Sequence, residues 1–373
     1  MEKSFKIFCY TDIHNQQAML DYPATVRKSA YQAAELAVKE FGKADLGICG
    51  GDNVSDYPDW DRSCALPKKN FLDLKNKLVD CLGSSVKGEK VIYVAGNNDM
   101  IMGDIGTPDN APYNTTDFYF DGPMNKTLGV LSPDECQQLL SVHKPNEKYL
   151  GAFHYNVGGY DFFGLNIDPD TAFNTHEGYY ADSSLDWLKK KLDEVDPDGI
   201  KPLFVIGHLS AYYYYVGEEL QETLRNGNIQ KFYDTMNGHK NLFYLYGHVH
   251  GEKAVYKNYS SGAVLHLGED FKPLGRNLTS NDSKNAGEYR FSLVHMGGLR
   301  PFNKKYYEED GLTGYGGGKE KQYFCATGTP KLAQYMVIEL YADRAVFYIR
   351  NTGSLEGYTV EDKLLPYTVY YRK

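Results

Sequence analysis

Five short segments of the chain combine aspartate, histidine and asparagine in a way that could bind metal ions. Each follows a short apolar run that is typical of a β-strand. The segments are Thr11-Asp12-Ile13-His14, Gly51-Asp52-Asn53, Gly96-Asn97-Asn98-Asp99, Gly207-His208 and Gly247-His248-Val249-His250. Any one of them alone is a common turn sequence. Five in succession, each at the end of a predicted strand, indicate one shared site.

The residue types in these segments suit a pair of divalent metal ions. Imidazole favours Zn, Fe, Ni or Cu, carboxylate oxygens favour harder ions such as Mn or Mg, and a mixed set favours intermediate ions in two adjacent sites. A carboxylate between two cations can bridge them at a separation of about 3.5–4 Å. Such a pair lowers the pKa of a bound water and clamps a phosphoryl group. The segments therefore predict a two-metal site that could act on a phosphoryl group.

Strand-like segments that alternate with helical ones must position these residues. The predicted strands are Phe5–Thr11, Asp45–Cys49, Lys90–Ala95, Tyr160–Ile167, Pro202–Ile206, Leu242–Tyr246 and Ala263–Leu267. The predicted helices, which carry apolar stripes at three- and four-residue spacing, are Pro23–Phe41, Asn70–Leu82 and Ser183–Val195. This alternation predicts a layered α/β fold. Loops at the carboxyl ends of its strands converge, which would bring the five segments together.

Two stretches of the chain have a different composition. Met102–Tyr149 is rich in proline, asparagine, threonine and glycine, and we predict a long excursion there with one short helix near Pro133–Val142. The stretch from about Leu274 to Thr329 is rich in glycine and asparagine. Strand character returns in Tyr335–Arg350, whose alternating pattern predicts a β-hairpin around Ala342-Asp343-Arg344.

The overall composition narrows the classes of function. The chain of 373 residues has 40 Lys and Arg against 49 Asp and Glu, a formal charge of −9. This balance disfavours general binding to nucleic acid or to anionic membranes, which depends on basic side chains. No uncharged stretch has the length and apolarity of a membrane span. The six cysteines include no C-x-x-C pair, and Cys9 and Cys49 fall in predicted strands, where we expect buried, inert thiols.

The order of the five segments resembles the motif of the calcineurin-like metallophosphoesterase superfamily, over about Phe5 to His250. That motif reads D-x-H, G-D, G-N-H-D/E, H and G-H-x-H, and the chain matches every position but one. The resemblance implies a four-layer αββα sandwich, in which two mixed β-sheets are flanked by helices. We predict a metallophosphoesterase domain over 1–273 with an insertion at about 102–149. A C-terminal extension over 274–373, ending in the β-hairpin, would pack on that domain.

The resemblance also implies a set of ligands for two divalent metal ions, which would be Mn, Fe, Zn or a mixture. The first ion would be held by Asp12, His14, Asp52 and His250. The second would be held by Asp52, Asn97, His208 and His248, with Asp52 bridging the two. A metal-bridging hydroxide would then attack phosphorus in line, while the ions take up charge on the transferring oxygens.

Asn98 is the one departure from the motif, which has a histidine at this position. That histidine is credited with protonating the leaving oxygen or steadying the phosphate, whereas asparagine donates a hydrogen bond but delivers no proton. Either another residue supplies the proton, or the natural substrate has a better leaving group. Candidate catalytic residues are therefore Asn98 itself, its neighbour Asp99, and the histidines His154 and His176, which flank the strand before Ser183–Val195.

Aromatic residues near the segments are candidates for substrate binding, together with Asn98. Tyr212 begins a run of four tyrosines after His208, and Trp60 follows Asp52. Either could line the mouth of the site. The chain contains 33 tyrosines, so compositional bias is an equally good account of the run.

These observations predict a dinuclear metal-dependent phosphoester hydrolase that acts on a small phosphorylated substrate. Asn98 favours phosphodiesters, because some members of the superfamily that lack this histidine are phosphodiesterases, or activated phosphomonoesters, whose better leaving groups depend least on a general acid. The alternatives are a non-catalytic binding scaffold with the same fold, and a nuclease, for which the charge gives no sign of a basic track. Because Asp12 and His14 lie so near Met1, we expect no cleaved leader and a cytoplasmic protein. Secretion is the alternative if the sequence had already been shortened. The oligomeric state stays open.

Overall fold

The computed structural model describes residues 4–13, 33–52, 91–94, 96, 151–167, 180–209, 213–216, 219–222, 228–248, 264–265, 291–299, 333–352 and 366–373. Within these ranges the strands are β1 Phe5–Tyr10, β2 Leu46–Cys49, β3 Val91–Tyr93, β4 Ala152–Val157, β5 Tyr160–Leu165, β6 Leu203–Ile206, β7 Tyr213–Val216, β8 Glu219–Glu222, β9 Leu242–Tyr246, β10 Val264–Leu265, β11 Ser292–His295, β12 Ala333–Leu340, β13 Arg344–Thr352 and β14 Tyr367–Tyr370. The helices are α1 (33–41), α2 (Asp182–Val195) and α3 (Asn228–Met236).

The strands form two mixed six-stranded sheets and one small hairpin. The first sheet has the order β14-β13-β12-β1-β2-β3, with β1, β2 and β3 parallel and β12 antiparallel to β1. The second has the order β10-β11-β9-β6-β5-β4, with β5, β6, β9 and β11 parallel. Among the described strands, β7 and β8 pair only with each other. Each sheet therefore contains a group of adjacent parallel strands, whose carboxyl ends can present loop residues to a common site.

The two sheets pack face to face through a row of phenylalanine rings. Phe5 of the first sheet lies 6.3 Å from Phe162 of the second, measured between ring centroids. Phe204 stacks on Phe162 at 5.3 Å and on Phe243 at 5.3 Å. Phe243 in turn meets Phe347 of the first sheet at 5.6 Å. Because these five rings connect one sheet to the other, the sheet faces that carry them enclose the core of the sandwich.

Helices cover the outer face of each sheet. On the first sheet α1 contacts β13, where the Phe41 and Tyr348 rings are 4.8 Å apart and Arg350 pairs with Glu40 at 2.8 Å. On the second, α2 packs against β4, β5 and α3. The ring of Phe232 from α3 meets Tyr244 of β9 edge to face at 4.8 Å. The order of layers is helix, sheet, sheet, helix, which confirms the αββα sandwich that the sequence predicts.

Most of the predicted elements within the described residues are present, with shifted ends. The predicted helix Ser183–Val195 is α2, and the hairpin predicted over Tyr335–Arg350 is β12 and β13. Cys9 and Cys49 are buried free thiols, as expected. The glycine- and asparagine-rich region from Leu274, for which no strand was predicted, contains β11, all four of whose residues are buried beside β9.

Several predicted features lie outside the described residues. They include the helix Asn70–Leu82, the whole of the excursion Met102–Tyr149 with its short helix, and the stretch that would contain the boundary at residue 273. The division into two domains therefore stays a prediction. Among the helices that are described, none combines the length and the apolarity needed to cross a membrane.

Candidate metal centre

Four of the predicted metal ligands lie just beyond the carboxyl ends of central strands. Asp12 follows β1, Asp52 follows β2, His208 follows β6 and His248 follows β9. The first two strands are neighbours in one sheet, and the last two are neighbours in the other. The four side chains therefore meet at one end of the sandwich, between the two sheets, as the parallel topology requires.

Asp52, His208 and His248 have the geometry of a metal site. One ligand atom from each of these side chains lies within 4.8 Å of the other two. Asp52 and His208 are fully buried, with Nε2 of His208 3.2 Å from Oδ2 of Asp52, and His248 is half-buried. The two imidazole rings meet edge to face with centroids 5.1 Å apart. Two nitrogen donors and a carboxylate suit an intermediate divalent ion such as Zn, Mn or Fe.

A hydrogen bond to the backbone determines which nitrogen of His208 could bind a metal ion. Nδ1 of His208 lies 2.7 Å from the carbonyl oxygen of Gly50, at the end of β2. A carbonyl oxygen only accepts, so Nδ1 carries the proton and donates it. Nε2, which faces Asp52, is left as the ligand atom. This is the outer-shell arrangement that orients histidine ligands in metal sites.

The electrostatics of the pair favour a positive charge beside Asp52. Burial disfavours the charged imidazolium of His208, but the Asp52 carboxylate, Asp12 and the Gly50 carbonyl outweigh it and raise the pKa of His208 to about 9. The same field that holds a proton on Nε2 attracts a metal cation.

Asp12 is anchored to the loop that carries His248. The backbone N–H of His248 lies 3.1 Å from both carboxylate oxygens of Asp12. The hydroxyl of Thr11 donates a further bond of 2.8 Å to Oδ2 of Asp12. The backbone N–H of Asp12 donates to the carbonyl of Gly51 at 2.9 Å. Asp12 therefore connects the loops after β1, β2 and β9, and its carboxylate lies at their meeting point.

Left-handed backbone conformations coincide with the site. Among the described residues, those other than glycine with a positive φ are Asp12 at 54°, Asp52 at 51° and His248 at 69°. This region is unfavourable for residues with a Cβ, and such strain clusters at functional sites.

Glycines beside these residues leave room for the close approach of the loops. A Cβ on Gly96 would collide with the backbone and carboxylate of Asp52, and one on Gly247 would collide with Thr11 and Asp12. Gly51 has φ +97°, and a Cβ there would lie 2.7 Å from Nδ1 of His208. The glycines in the sequence segments are therefore a steric requirement of the site.

Two tyrosine hydroxyls lie beneath the loop that carries His208. The hydroxyl oxygen of Tyr180 is 3.0 Å from the backbone nitrogen of His208 and 3.1 Å from that of Leu209. It is also 2.7 Å from the hydroxyl of Tyr244, which in turn bonds the carbonyl of Leu209 at 2.7 Å. Burial raises the pKa of Tyr180 to about 12 and that of Tyr244 well above its usual range, so both phenols are neutral. Neither residue is in the sequence motif.

The structure does not bring His154 to Asp12, Asp52, His208 or His248, the other predicted site residues that it describes. His154 lies on β4, where it pairs with Phe163 of β5, and its ring stacks on Phe163 at 4.5 Å. Its Nε2 is 2.9 Å from Oδ1 of Asp161 on the helix-covered face of the sheet. Burial lowers the pKa of His154, with the Asp161 carboxylate acting in the opposite direction. A catalytic role for His154 stays a prediction that this placement does not support.

The remaining predicted residues lie outside the described ranges. They are the metal ligands His14, Asn97 and His250, the catalytic candidates Asn98, Asp99 and His176, and the substrate-binding candidates Tyr212 and Trp60. The residue before Asn97 is Gly96, which touches Asp52. The chain therefore passes the site just before the predicted ligand Asn97.

No protein-family model and no curated protein sequence matches the chain. Solved structures are similar to it at low identity. A conserved protein of Streptococcus pneumoniae TIGR4, predicted to be a phosphoesterase, has 8% identity and a TM-score of 0.30 over 99% of each chain. A proposed 5′-nucleotidase of Staphylococcus aureus, in complex with α-ketoglutarate, has 11% identity and a TM-score of 0.37. That match covers 96% of this chain but only 56% of the other.

A third similar structure is Vacuolar Protein Sorting 29 of Cryptosporidium parvum, with 12% identity and a TM-score of 0.33 over 99% of each chain. TM-scores this low carry no argument about function. The function of the chain therefore has to be argued from the geometry of its own site.

Proposed function

We propose that the chain is a dinuclear metal-dependent phosphoester hydrolase. The observation that carries this proposal is the convergence of Asp52, His208 and His248, whose ligand atoms lie within 4.8 Å of one another between the two sheets. Acids and histidines gathered and buried in this way are costly unless a cation offsets their desolvation. A binding site for a divalent metal ion is the simplest account of the cluster.

The donor atoms present fit a divalent ion. Nε2 of His208 and a carboxylate oxygen of Asp52 would hold one ion together with His248, and we propose that Asp12 would hold a second ion beside Asp52. Two such ions, when bound, supply Lewis-acid activation of water and of a phosphoryl oxygen. Asp52 is the candidate bridge because it is the carboxylate nearest His208. We propose His14, Asn97 and His250 as the remaining ligands, because each belongs to a sequence segment of which another residue reaches the site.

The described residues also explain how the site stays rigid before any substrate arrives. The Gly50 carbonyl holds the His208 ring in one orientation, and the Asp12 carboxylate holds the loop of His248. Asp12, Asp52 and His208 are buried, so water is largely excluded on the side of the site that faces the core. Preorganised dipoles in a dry site stabilise developing charge better than mobile ones, which suits in-line attack at phosphorus.

The proposed substrate is a small phosphodiester or an activated phosphomonoester. Asn98 supports this choice, because asparagine at the position of the family's histidine delivers no proton to a poor leaving group. The buried free thiols Cys9 and Cys49 accord with a reducing compartment, so we propose the cytoplasm as the location.

The test is a comparison of two chromogenic substrates in the presence of different metals. Purified protein is assayed with p-nitrophenyl phosphate and with bis(p-nitrophenyl) phosphate, in Mn²⁺, in Zn²⁺ and with chelator, while bound metal is counted by elemental analysis. We expect metal-dependent turnover that favours the diester. Asp52→Asn, which keeps the shape of the side chain, should lower kcat by at least about 100-fold, because metal coordination supplies much of the activation.

A matched control replaces a carboxylate that is remote from the site. Glu339 on β12 accepts hydrogen bonds from the hydroxyls of Tyr341 and Tyr348, on the sheet face that α1 covers. Glu339→Gln should therefore retain turnover and metal content. A folded wild-type protein that holds two metals but turns over neither substrate would favour the scaffold alternative. Full activity in Asp52→Asn would exclude the proposed mechanism.

A further inference from the structure

We propose that Tyr180 and Tyr244 are positioning residues for His208, holding the backbone of this ligand so that its Nε2 stays aimed at the metal. The proposal rests on the proposed function only in that His208 is taken as a metal ligand. The tyrosines touch the ligand-bearing loop and not the ligand atom, so they would act through His208. We call the two hydroxyls and their bonds the tyrosine clamp.

The directions of the hydrogen bonds in the clamp follow from the donors and acceptors present. The carbonyl of Leu209 only accepts, so the hydroxyl of Tyr244 donates to it, at 2.7 Å. With its proton used there, Tyr244 accepts from Tyr180, whose hydroxyl lies 2.7 Å away. The Tyr180 oxygen is then free to accept from the N–H groups of His208 and Leu209, at 3.0 and 3.1 Å. Each of these polar groups has a partner with matching chemistry, so the chain of bonds is complete.

The surroundings of the clamp leave it little freedom. Both tyrosines are fully buried. The Tyr180 ring stacks on Phe232 of α3 at 5.9 Å, and the Tyr244 ring meets the same phenylalanine at 4.8 Å. A Cβ on Gly207 would collide with both hydroxyls. The position before the ligand therefore has to be glycine for the clamp to reach the backbone.

His208 is consequently held from two directions. Its ring is fixed by the Gly50 carbonyl of the first sheet, and its backbone is fixed by Tyr180 from the outer side of the second sheet. Without the Tyr180 hydroxyl, two buried N–H groups would lose their acceptor, and the loop would shift to find another. A shift of even a few tenths of an ångström at the backbone moves Nε2 relative to Asp52, because the ring pivots about the Gly50 bond. Residues that orient a metal ligand from outside usually change metal affinity 10- to 100-fold when mutated.

The experiment measures metal binding directly, with Mn²⁺ alone as the probe. Tyr180→Phe and Tyr244→Phe each remove only a hydroxyl. Tyr348→Phe is the matched control, because it also removes a hydroxyl, which donates a hydrogen bond of 3.0 Å to Glu339 in a region remote from the site. We expect calorimetric titration to give a 10- to 100-fold loss of Mn²⁺ affinity in Tyr180→Phe. A smaller loss of Mn²⁺ affinity is expected in Tyr244→Phe, because the Tyr180 hydroxyl can still accept hydrogen bonds from the N–H groups of His208 and Leu209. The control should stay within about two-fold of the wild-type protein.

A spectroscopic readout separates positioning from general destabilisation. Co²⁺ substituted into each protein reports the coordination geometry through its visible absorption, and this band should shift in the two clamp variants but not in Tyr348→Phe. Unchanged Mn²⁺ affinity and an unchanged Co²⁺ band in both clamp variants would overturn the positioning role. So would failure of both variants to fold where Tyr348→Phe folds. A wild-type protein that binds no Mn²⁺ would instead remove the proposed function, and the positioning role with it.

Discussion

Single residues of the candidate site hold backbone conformations that cost free energy. Asp12, Asp52 and His248 have φ values of 54°, 51° and 69°. A left-handed conformation costs a residue with a Cβ about 1–2 kcal/mol. Such backbone conformations persist only where the surrounding structure holds them in place, here through hydrogen bonds between the loops. The chain therefore gives up stability at these three positions to present their side chains.

The strain at His248 can be measured by a pair of substitutions. His248→Gly and His248→Ala both remove the imidazole, but only glycine adopts φ 69° without a penalty. We expect the glycine variant to be more stable to urea unfolding than the alanine variant by about 1 kcal/mol. Both should lose the same metal affinity, since both lack the ligand. Equal stabilities, or a more stable alanine variant, would show that the fold does not hold the backbone in this conformation.

Residues of the site could be predicted from sequence only where a motif marks them. Asp12, Asp52, His208 and His248 follow apolar strands in segments of recognisable composition, and the structure gathers them. Tyr180 lies near none of these segments, and nothing in its local sequence marks it. Its place beneath His208 depends on packing between elements, which a pattern along one chain does not contain.

At the scale of elements, a buried carboxylate joins the end of α2 to the loop between α3 and β9. Oδ1 of Asp196 accepts hydrogen bonds of 3.0 Å from the backbone N–H groups of Ile200 and Lys201. Its Oδ2 lies 3.1 Å from Nδ1 of the buried His239. The loop that leads into β6, and so towards His208, is therefore fixed at its start by Asp196.

Replacement of Asp196 should destabilise the region in which the end of α2, the loop before β6 and the loop between α3 and β9 meet. Asp196→Ala leaves two backbone N–H groups and an imidazole without their acceptor, so we expect a loss of roughly 3 kcal/mol in the free energy of unfolding. Asp193→Ala is the matched control, because Asp193 lies 3.3 Å from Nε2 of the same histidine but is 61% exposed. It should cause a much smaller loss. Denaturant titration of the two variants gives the comparison, and equal losses would contradict the role assigned to Asp196.

Elements were predictable from sequence where an apolar stripe or a continuous apolar run marks them. Helix α2 buries Leu185, Leu188 and Leu192 on one stripe, which the periodicity shows. Strand β11 is buried throughout, but only Leu293 and Val294 of its four residues are apolar, so it shows neither an alternation nor a long apolar run. Helix α3 does carry its signal, with Phe232 and Met236 four residues apart and buried, but its nine residues are too few for the pattern to stand out.

At the scale of the whole molecule, hydrogen bonds join the two sheets at the end opposite the candidate metal centre. Asn241, just before β9, accepts a hydrogen bond of 2.7 Å from the backbone N–H of Arg372 and donates one of 2.8 Å to its carbonyl. Arg372 follows β14, the outer strand of the first sheet. The side-chain amide of Asn241 therefore makes the same pair of hydrogen bonds that a backbone amide in a neighbouring strand would make, and these bonds connect one sheet to the other.

Loss of this tie should lower stability without touching the metal centre. We expect Asn241→Ala to lower the free energy of unfolding by about 1–3 kcal/mol, since buried hydrogen-bonding groups of the backbone lose their partners. Removal of residues 372–373 should cause a similar loss. The two changes act on the same bonds, so the double variant should lose clearly less than their sum. Strict additivity by urea titration, or a change in Mn²⁺ affinity, would contradict this account.

Buried tyrosines in both sheets predict sensitivity to alkali. Burial raises the pKa of Tyr180 to about 12 and raises the pKa of Tyr244 and Tyr335 as well. A group whose pKa is higher in the folded state stabilises the fold fully below its unfolded pKa, about 10 for tyrosine, and loses this contribution as pH rises. We expect the free energy of unfolding to fall between pH 10 and 12. The fall should be shallower in Tyr180→Phe, and an identical slope in that variant would contradict the assignment.

The partners of the strands could not be predicted from sequence. β1 lies beside β12, more than 320 positions away in the chain, with Phe5 opposite Leu340. β11 lies beside β9 with Ser292 opposite Phe243. Periodicity identifies a strand and its buried face, but not which other strand completes its hydrogen bonds. The pairing of the predicted C-terminal extension with both sheets is therefore information that only the structure supplies.

A buried cysteine in β1, the strand that leads to Asp12, can report how often this strand opens. Cys9 is fully buried in the middle of β1, and burial raises the pKa of its thiol, so alkylating reagents meet neither an accessible nor an ionised sulfur while the sheet is closed. The rate at which Cys9 is labelled, measured by mass spectrometry on the peptide that contains it, therefore reports how often β1 opens. An ion that fixes Asp12, three residues later, would slow this labelling, so the labelling rate of Cys9 would report whether the candidate centre holds a metal.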